Sequence, residues 1–125
     1  MNDRYQGLVR LVEEQAGENF RSAFRYDEDD WAALFVRSDL ATADLQQVIP
    51  GLAQRAREDE PLVREQDYEG LGPQRASISL HSEAVLIHFR EGESTGVVVT
   101  LDKDVARNLA DFVARCEDIL EAAAD

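Results

Sequence analysis

One stretch, ASISLHSEAVLIHF at residues 76–89, constrains the fold more than any other part of the chain. A two-residue turn at Ser82-Glu83 pairs Leu80 with Val85 and Ile78 with Ile87. Ala76, Ile78, Leu80, Val85, Ile87 and Phe89 then share one face, and Ser77, Ser79, His81, Ala84, Leu86 and His88 share the other. A slip of one residue would scatter the apolar set over both faces, so the register is strongly specified. The stretch is predicted to be a β-hairpin with one strongly apolar face and one mixed face, and the apolar face must be covered.

The remaining elements follow from periodicity around this hairpin. A turn over 91–94 leads to a strand at 96–101, after which Asp102 is placed to cap a long helix. That helix carries Val105, Leu109, Phe112, Val113, Cys116, Ile119, Leu120 and Ala123 on one stripe. At the other end, Tyr5, Leu8, Val9, Val12 and Ala16 stand at helical spacing between a cap at Asn2 or Asp3 and a stop at Gly17. A period-two run at 20–26, with Phe20, Ser22, Phe24 and Tyr26 on one face, and an aromatic and aliphatic run at 31–37 predict another hairpin, the first along the chain. Asp39 or Thr42 caps a middle helix with Leu45, Val48, Ile49, Leu52, Ala53 and Ala56 on its stripe. Pro50-Gly51 inside it predicts a kink near Ile49 or two short helices. Residues 58–73 read as an acidic connector tacked down by Tyr68 and Leu71.

The order αββαβββα over one domain, 1–125, gives an α+β fold. A five-stranded antiparallel sheet is expected, with the first and last helices on one face and the middle helix on the other.

Charge narrows the partners. Against 26 Asp and Glu stand 13 Lys and Arg, a formal net charge of −13, and Lys103 is the only lysine among the basic residues. Nucleic-acid backbones and anionic lipid surfaces repel such a chain, so neither a nucleic acid nor a membrane is expected as partner. Acid excess with arginine in place of lysine fits a halophilic cytoplasm, where molar salt cuts the Debye length to about 3 Å and removes most self-repulsion. The amphipathic start MNDRYQGLVRLVEE lacks the apolar core of a signal peptide, and the expected location is cytoplasmic.

No pattern points to catalysis, a cofactor or a metal. Asp27, Glu28, Asp29 and Asp30 lack the spacing, glycine and distal glutamate of a calcium loop. His81 and His88 fall on different strand positions, and Cys116, the only cysteine, sits on a separate helix, so no metal set with recognisable spacing forms. Gly70 and Gly72 precede a strand rather than a helix, the reverse of a phosphate-binding loop. Arg21, Arg25 and Arg37 make a small basic spot that acidic neighbours are expected to neutralise.

Two resemblances add to this reading. FRYDEDDWAALFVRSDL at 24–40, YEGLG at 68–72 and GVVVTLD at 96–102 resemble a family of small uncharacterised haloarchaeal proteins, which implies a salty cytoplasm and no activity. The element order is similar to that of roadblock and dynein light-chain-like domains. That likeness implies a non-enzymatic scaffold or regulator that dimerises through its middle helix and an edge strand.

The expected function is a non-enzymatic interaction or regulatory module, with itself (a homodimer) and another cytoplasmic protein as partners. Trp31, Phe35, Leu45, Val48, Ile49 and Leu52 are the candidate interface, because the first hairpin is apolar on both faces and the middle helix has a broad stripe. The alternative is a small-ligand sensor or enzyme on the mixed sheet face, using Ser77, Ser79, His81, His88 and Thr100.

Overall fold

A computed structural model describes residues 3–58, 70 and 72–123. The expected contacts of Tyr68 and Leu71, the connector around them and a cap at Asn2 lie outside the described residues. The order is α1 (Asp3–Ala16), β1 (Phe20–Tyr26), β2 (Trp31–Val36), α2 (Ala43–Glu58), β3 (Ser77–Leu80), β4 (Ala84–Arg90), β5 (Gly96–Asp102) and α3 (Arg107–Ala123). The strands form one antiparallel sheet in the order β2-β1-β5-β4-β3. The last strand therefore lies in the middle and joins the two hairpins.

The β3–β4 register is the expected one, with Leu80 opposite Val85, Ile78 opposite Ile87 and Ser77 opposite His88. In the first hairpin, one residue changes face. Phe20 pairs with Leu101 and Ser22 with Thr100, so two residues of β1 span one step of β5. A bulge of this kind inverts the alternation beyond it. Phe20 consequently packs with Ala23, Val97, Val99 and Leu101, not with Phe24 and Tyr26 as strict alternation predicts. A second shift between Ala23 and Phe24 against β2 brings Leu34 and Phe35 to that same face, where Phe35 stacks on Phe20 with centroids 4.2 Å apart.

Each face of the sheet has its helix. Tyr5, Leu8, Val9, Val12 and Ala16 of α1 cover the face of Phe20, Val97 and Val99. Ile49, Ala53 and Ala56 of α2 bury the opposite face, against Phe24, Tyr26 and Val98. Gly17, with φ +55°, ends α1 in the left-handed region that glycine enters without a Cβ penalty. Thr42 Oγ1 accepts the Leu45 N–H at 3.3 Å and caps α2. The helix runs unbroken through Pro50, so the two-helix alternative does not apply. Its C-terminal carbonyls are taken up by Arg90, which donates to the carbonyl oxygens of Ala56 and Arg57.

Asp102 departs from its expected role. A 3-10 turn, Lys103–Ala106, intervenes before α3, and the Asp102 carboxylate makes no capping bond. It accepts hydrogen bonds from Arg21 and Arg37 instead. Among the described residues, no helix is long and apolar enough to cross a membrane.

Candidate functional site

Neither core cluster includes a residue of α3 among those described. From the 3-10 turn into α3, apolar residues recur at 105, 109, 112, 116 and 119, alternating steps of four and three, the spacing of a heptad seam. Ala106, Ala110 and Val113 are half-buried, as is Cys116. The large side chains along it stand in water: Phe112 is 63% exposed, Ile119 70% and Leu120 68%, with Val105 and Leu109 exposed as well. The stripe that periodicity marks for a core is thus largely left uncovered by the described residues.

The residues expected at an interface lie elsewhere, and most are engaged inside the chain. Ile49 is buried, Trp31, Leu45 and Leu52 pack half-buried against the α2 core, and Phe35 stacks on Phe20. Val48 alone of the six is an exposed large hydrophobic.

The five residues of the mixed sheet face do not share one cleft. Ser77, Ser79 and His88 together line a cleft of about 390 Å³ with Phe24, Leu52 and Val98. His81 belongs to a second, of about 450 Å³, between the β3–β4 turn and α3. Thr100 lines a third, of about 430 Å³, under α2. The polar groups are also paired with one another. The Tyr26 hydroxyl lies 2.6 Å from His88 Nε2, Ser79 Oγ 2.8 Å from His81 Nε2, and Ser22 Oγ 2.7 Å from Thr100 Oγ1. Ser82, Asp104, Asp111 and Glu117 also line the cleft of His81, but among the described residues no hydrogen bond joins that histidine to a carboxylate, so no oriented triad forms there.

Two charged clusters complete the inventory, and both are spent on the fold. In the β1–β2 turn, Asp27 Oδ1 accepts the N–H groups of Asp29 and Asp30, which holds the Asp27 carboxyl below its ordinary value. Arg57 reaches across from α2 to the Asp27 and Asp30 carbonyl oxygens. Among the described residues, no group of three or more His, Cys, Asp and Glu is arranged to hold a metal ion.

The second cluster is centred on Arg37. It donates from Nε and Nη2 to both carboxylate oxygens of Asp39, at 2.6 and 3.1 Å, and from Nη1 to Asp102 Oδ2 at 2.8 Å. Arg21 Nη1 holds the other Asp102 oxygen at 3.1 Å. These bonds lower the carboxyls of Asp39 and Asp102 and raise the Arg37 guanidinium, so these three groups move further from neutral pH. General acid–base catalysis needs the opposite shift. The cluster therefore reads as a clamp that ties β1, β5 and the end of β2 together.

Residues 6–121 match a family described as "Domain of unknown function (DUF7522)". The chain belongs to this family. No curated protein sequence and no solved structure matches it. Membership fits the resemblance to an uncharacterised family and assigns no activity. Sequence reasoning named the residues of the α3 stripe but assigned them to the core, and nothing in the pattern distinguishes a stripe met by a sheet from one left open.

Proposed function

We propose that this domain is a non-enzymatic interaction module whose docking surface is the apolar seam of α3. The observation that carries the reading is the exposure of Phe112, Ile119 and Leu120 on one helix face that neither core cluster reaches. Large apolar side chains clustered on a surface mark an association site, because leaving them in water forfeits about 25 cal/mol per Å² of apolar area. The separation of His81 and Thr100 from the cleft shared by Ser77, Ser79 and His88, with the side chains of Ser79, His81, His88 and Thr100 paired internally, supports the non-enzymatic part. The similarity in element order to roadblock domains supports a scaffold or regulator, and the acid excess with arginine-dominated cations supports a halophilic cytoplasm.

The test is a double substitution, Phe112→Ser with Ile119→Ser. It is expected to leave the thermal midpoint of dilute protein in about 2 M KCl, a salt level that screens self-repulsion, close to wild type. It should also remove binding of a hydrophobic fluorescent dye. A loss of stability of the size seen for core truncations would show that the chain needs this stripe for its own fold, and the reading would fall.

A further inference from the structure

We infer that the cleft between α2 and the β3–β4 hairpin binds a small apolar monocarboxylate, an inference independent of the α3 seam. The strand registers build its floor. On the α2 side of the sheet they align Phe24, Val98, His88 and Ser77 in one row, and Ser22, Thr100, Leu86 and Ser79 in the next. Ile49, Ala53 and Ala56 of α2 pack on Phe24 and Val98 at the β1–β5 end of these rows. Toward β4 and β3 the cover thins, and Leu86, His88 and Ser77 are only half-buried. The space of about 390 Å³ above them has Leu52, Arg55 and Ala56 on one side and Ser77, Ile78 and Ser79 on the other. Phe24, Leu52 and Leu86 also line the neighbouring cleft of about 430 Å³, where Leu45, Val48 and Ile49 continue the apolar wall. An apolar body can therefore extend past Leu52 along the helix.

Two polar groups reach this apolar space with their bonding capacity unspent. Among the described residues, Arg55 makes no ion pair or hydrogen bond, and its guanidinium rests beside Gly51, both Nη atoms 3.9 Å from where a Cβ would stand. The Ser77 hydroxyl likewise has no hydrogen-bond partner among them. The other polar groups of the cleft are engaged, His88 Nε2 with the Tyr26 hydroxyl and Ser79 Oγ with His81. One guanidinium and one hydroxyl on opposite walls suit a carboxylate, whose two oxygens match the planar donor fork of arginine. They compensate a single charge, so a phosphate dianion would stay half-compensated in a chain of net charge −13. That net charge repels anions in general, so burial of the ligand's apolar body has to supply the rest of the affinity.

The experiment titrates the whole chain with octanoate in molar KCl, read by calorimetry and by amide NMR. One equivalent should bind, with shifts concentrated at residues 52–56, 77–79 and 86–88 and none at 112–120. Octylamine, with the same chain and the opposite charge, should bind at least about tenfold more weakly. Arg55→Gln should weaken octanoate by about the same factor and leave 1-octanol unchanged, the loss expected for one hydrogen-bonded charge. Ser77→Phe, on an edge strand, fills the cleft and should abolish binding; the NMR footprint locates the site even where that variant fails to fold. Absence of binding, or equal affinity for octanoate and octylamine, overturns the inference. Shifts along 112–120, displacement of dye from the wild-type chain, or loss of octanoate binding in the Phe112→Ser, Ile119→Ser chain would put the acid on the α3 seam and overturn it as well. The interaction reading is judged separately, on the stability and dye binding of that doubly substituted chain.

Discussion

α2 and α3 are nearly equal in length, 16 and 17 residues, and each carries an apolar stripe, yet they end in opposite surroundings. Ile49, Ala53 and Ala56 of α2 are buried against the sheet, whereas Phe112, Ile119 and Leu120 of α3 remain in solvent. The difference lies in what each helix meets. α2 crosses a face that the bulged β1 and central β5 furnish with Phe24, Tyr26 and Val98, and Arg57 and Arg90 fasten its C-terminal end. The opposite face is covered by α1. An amphipathic helix declares that it has a side to bury, and only the rest of the chain decides whether the cover comes from within.

The sharpest way to break this comparison is to truncate one isoleucine on each helix. Ile49→Ala should cost about 2–5 kcal/mol in chemical denaturation, for the lost burial and the cavity left behind. Ile119→Ala, in protein dilute enough to be monomeric, should change stability by no more than about 0.5 kcal/mol. Similar losses at both positions would mean that α3 is as embedded as α2.

The next effect concerns the surface that α2 lies on. A Cβ built on Gly96 would stand 2.5 Å from the Tyr26 hydroxyl and 2.6 Å from the Phe89 carbonyl oxygen, so Gly96→Ala must displace backbone or the buried ring. A loss of about 1–3 kcal/mol is expected, read as a lower denaturation midpoint with an unchanged slope. Tyr26→Phe keeps the ring and removes the hydroxyl that meets His88, and should cost about 1 kcal/mol.

The smallest change is at the clamp, where Asp102→Asn removes a carboxylate shared by Arg21 and Arg37 near the protein surface. Those arginines hold the Asp102 carboxyl below the ordinary 3.8. Its contribution is therefore complete above that value and lost as pH falls through the depressed one. The melting difference between wild type and Asp102→Asn should be constant from neutral pH down to about pH 5, well above both values, and vanish in stronger acid. A difference that grows on acidification would refute the clamp.

Local patterns in the sequence carry the register of the β3–β4 hairpin, because Ile78, Leu80, Val85 and Ile87 admit a single pairing that keeps the apolar set together, but not its cover, since Ile78 stays 58% exposed. They also carry the stop at Gly17 and narrow the α2 cap to Asp39 or Thr42, of which Thr42 makes the bond and Asp39 holds Arg37 instead. The side on which Phe20 packs was not legible, since a bulge against β5 arises from pairing between strands some eighty positions apart and leaves no trace in the alternation of β1. Asp102 misled for a similar reason: a carboxylate before a helix looks like a cap until two distant arginines claim it. The interface residues Leu45, Ile49 and Leu52 and the stripe of α3 exchange places for the reason given above, that periodicity is silent about which apolar side finds a sheet.

The position of β5 sets the order in which this molecule can be made. Each hairpin is complete within its own stretch of chain, but the two halves share no strand until residues 96–102 slide between them. During synthesis, β1 and β4 must each wait with one row of backbone amides and carbonyls unpaired, in a state open to pairing with a neighbouring chain. A nascent chain that pauses before Gly96 is then two separate ribbons, and the arrival of the Val97–Val99 segment is the step that turns them into one sheet.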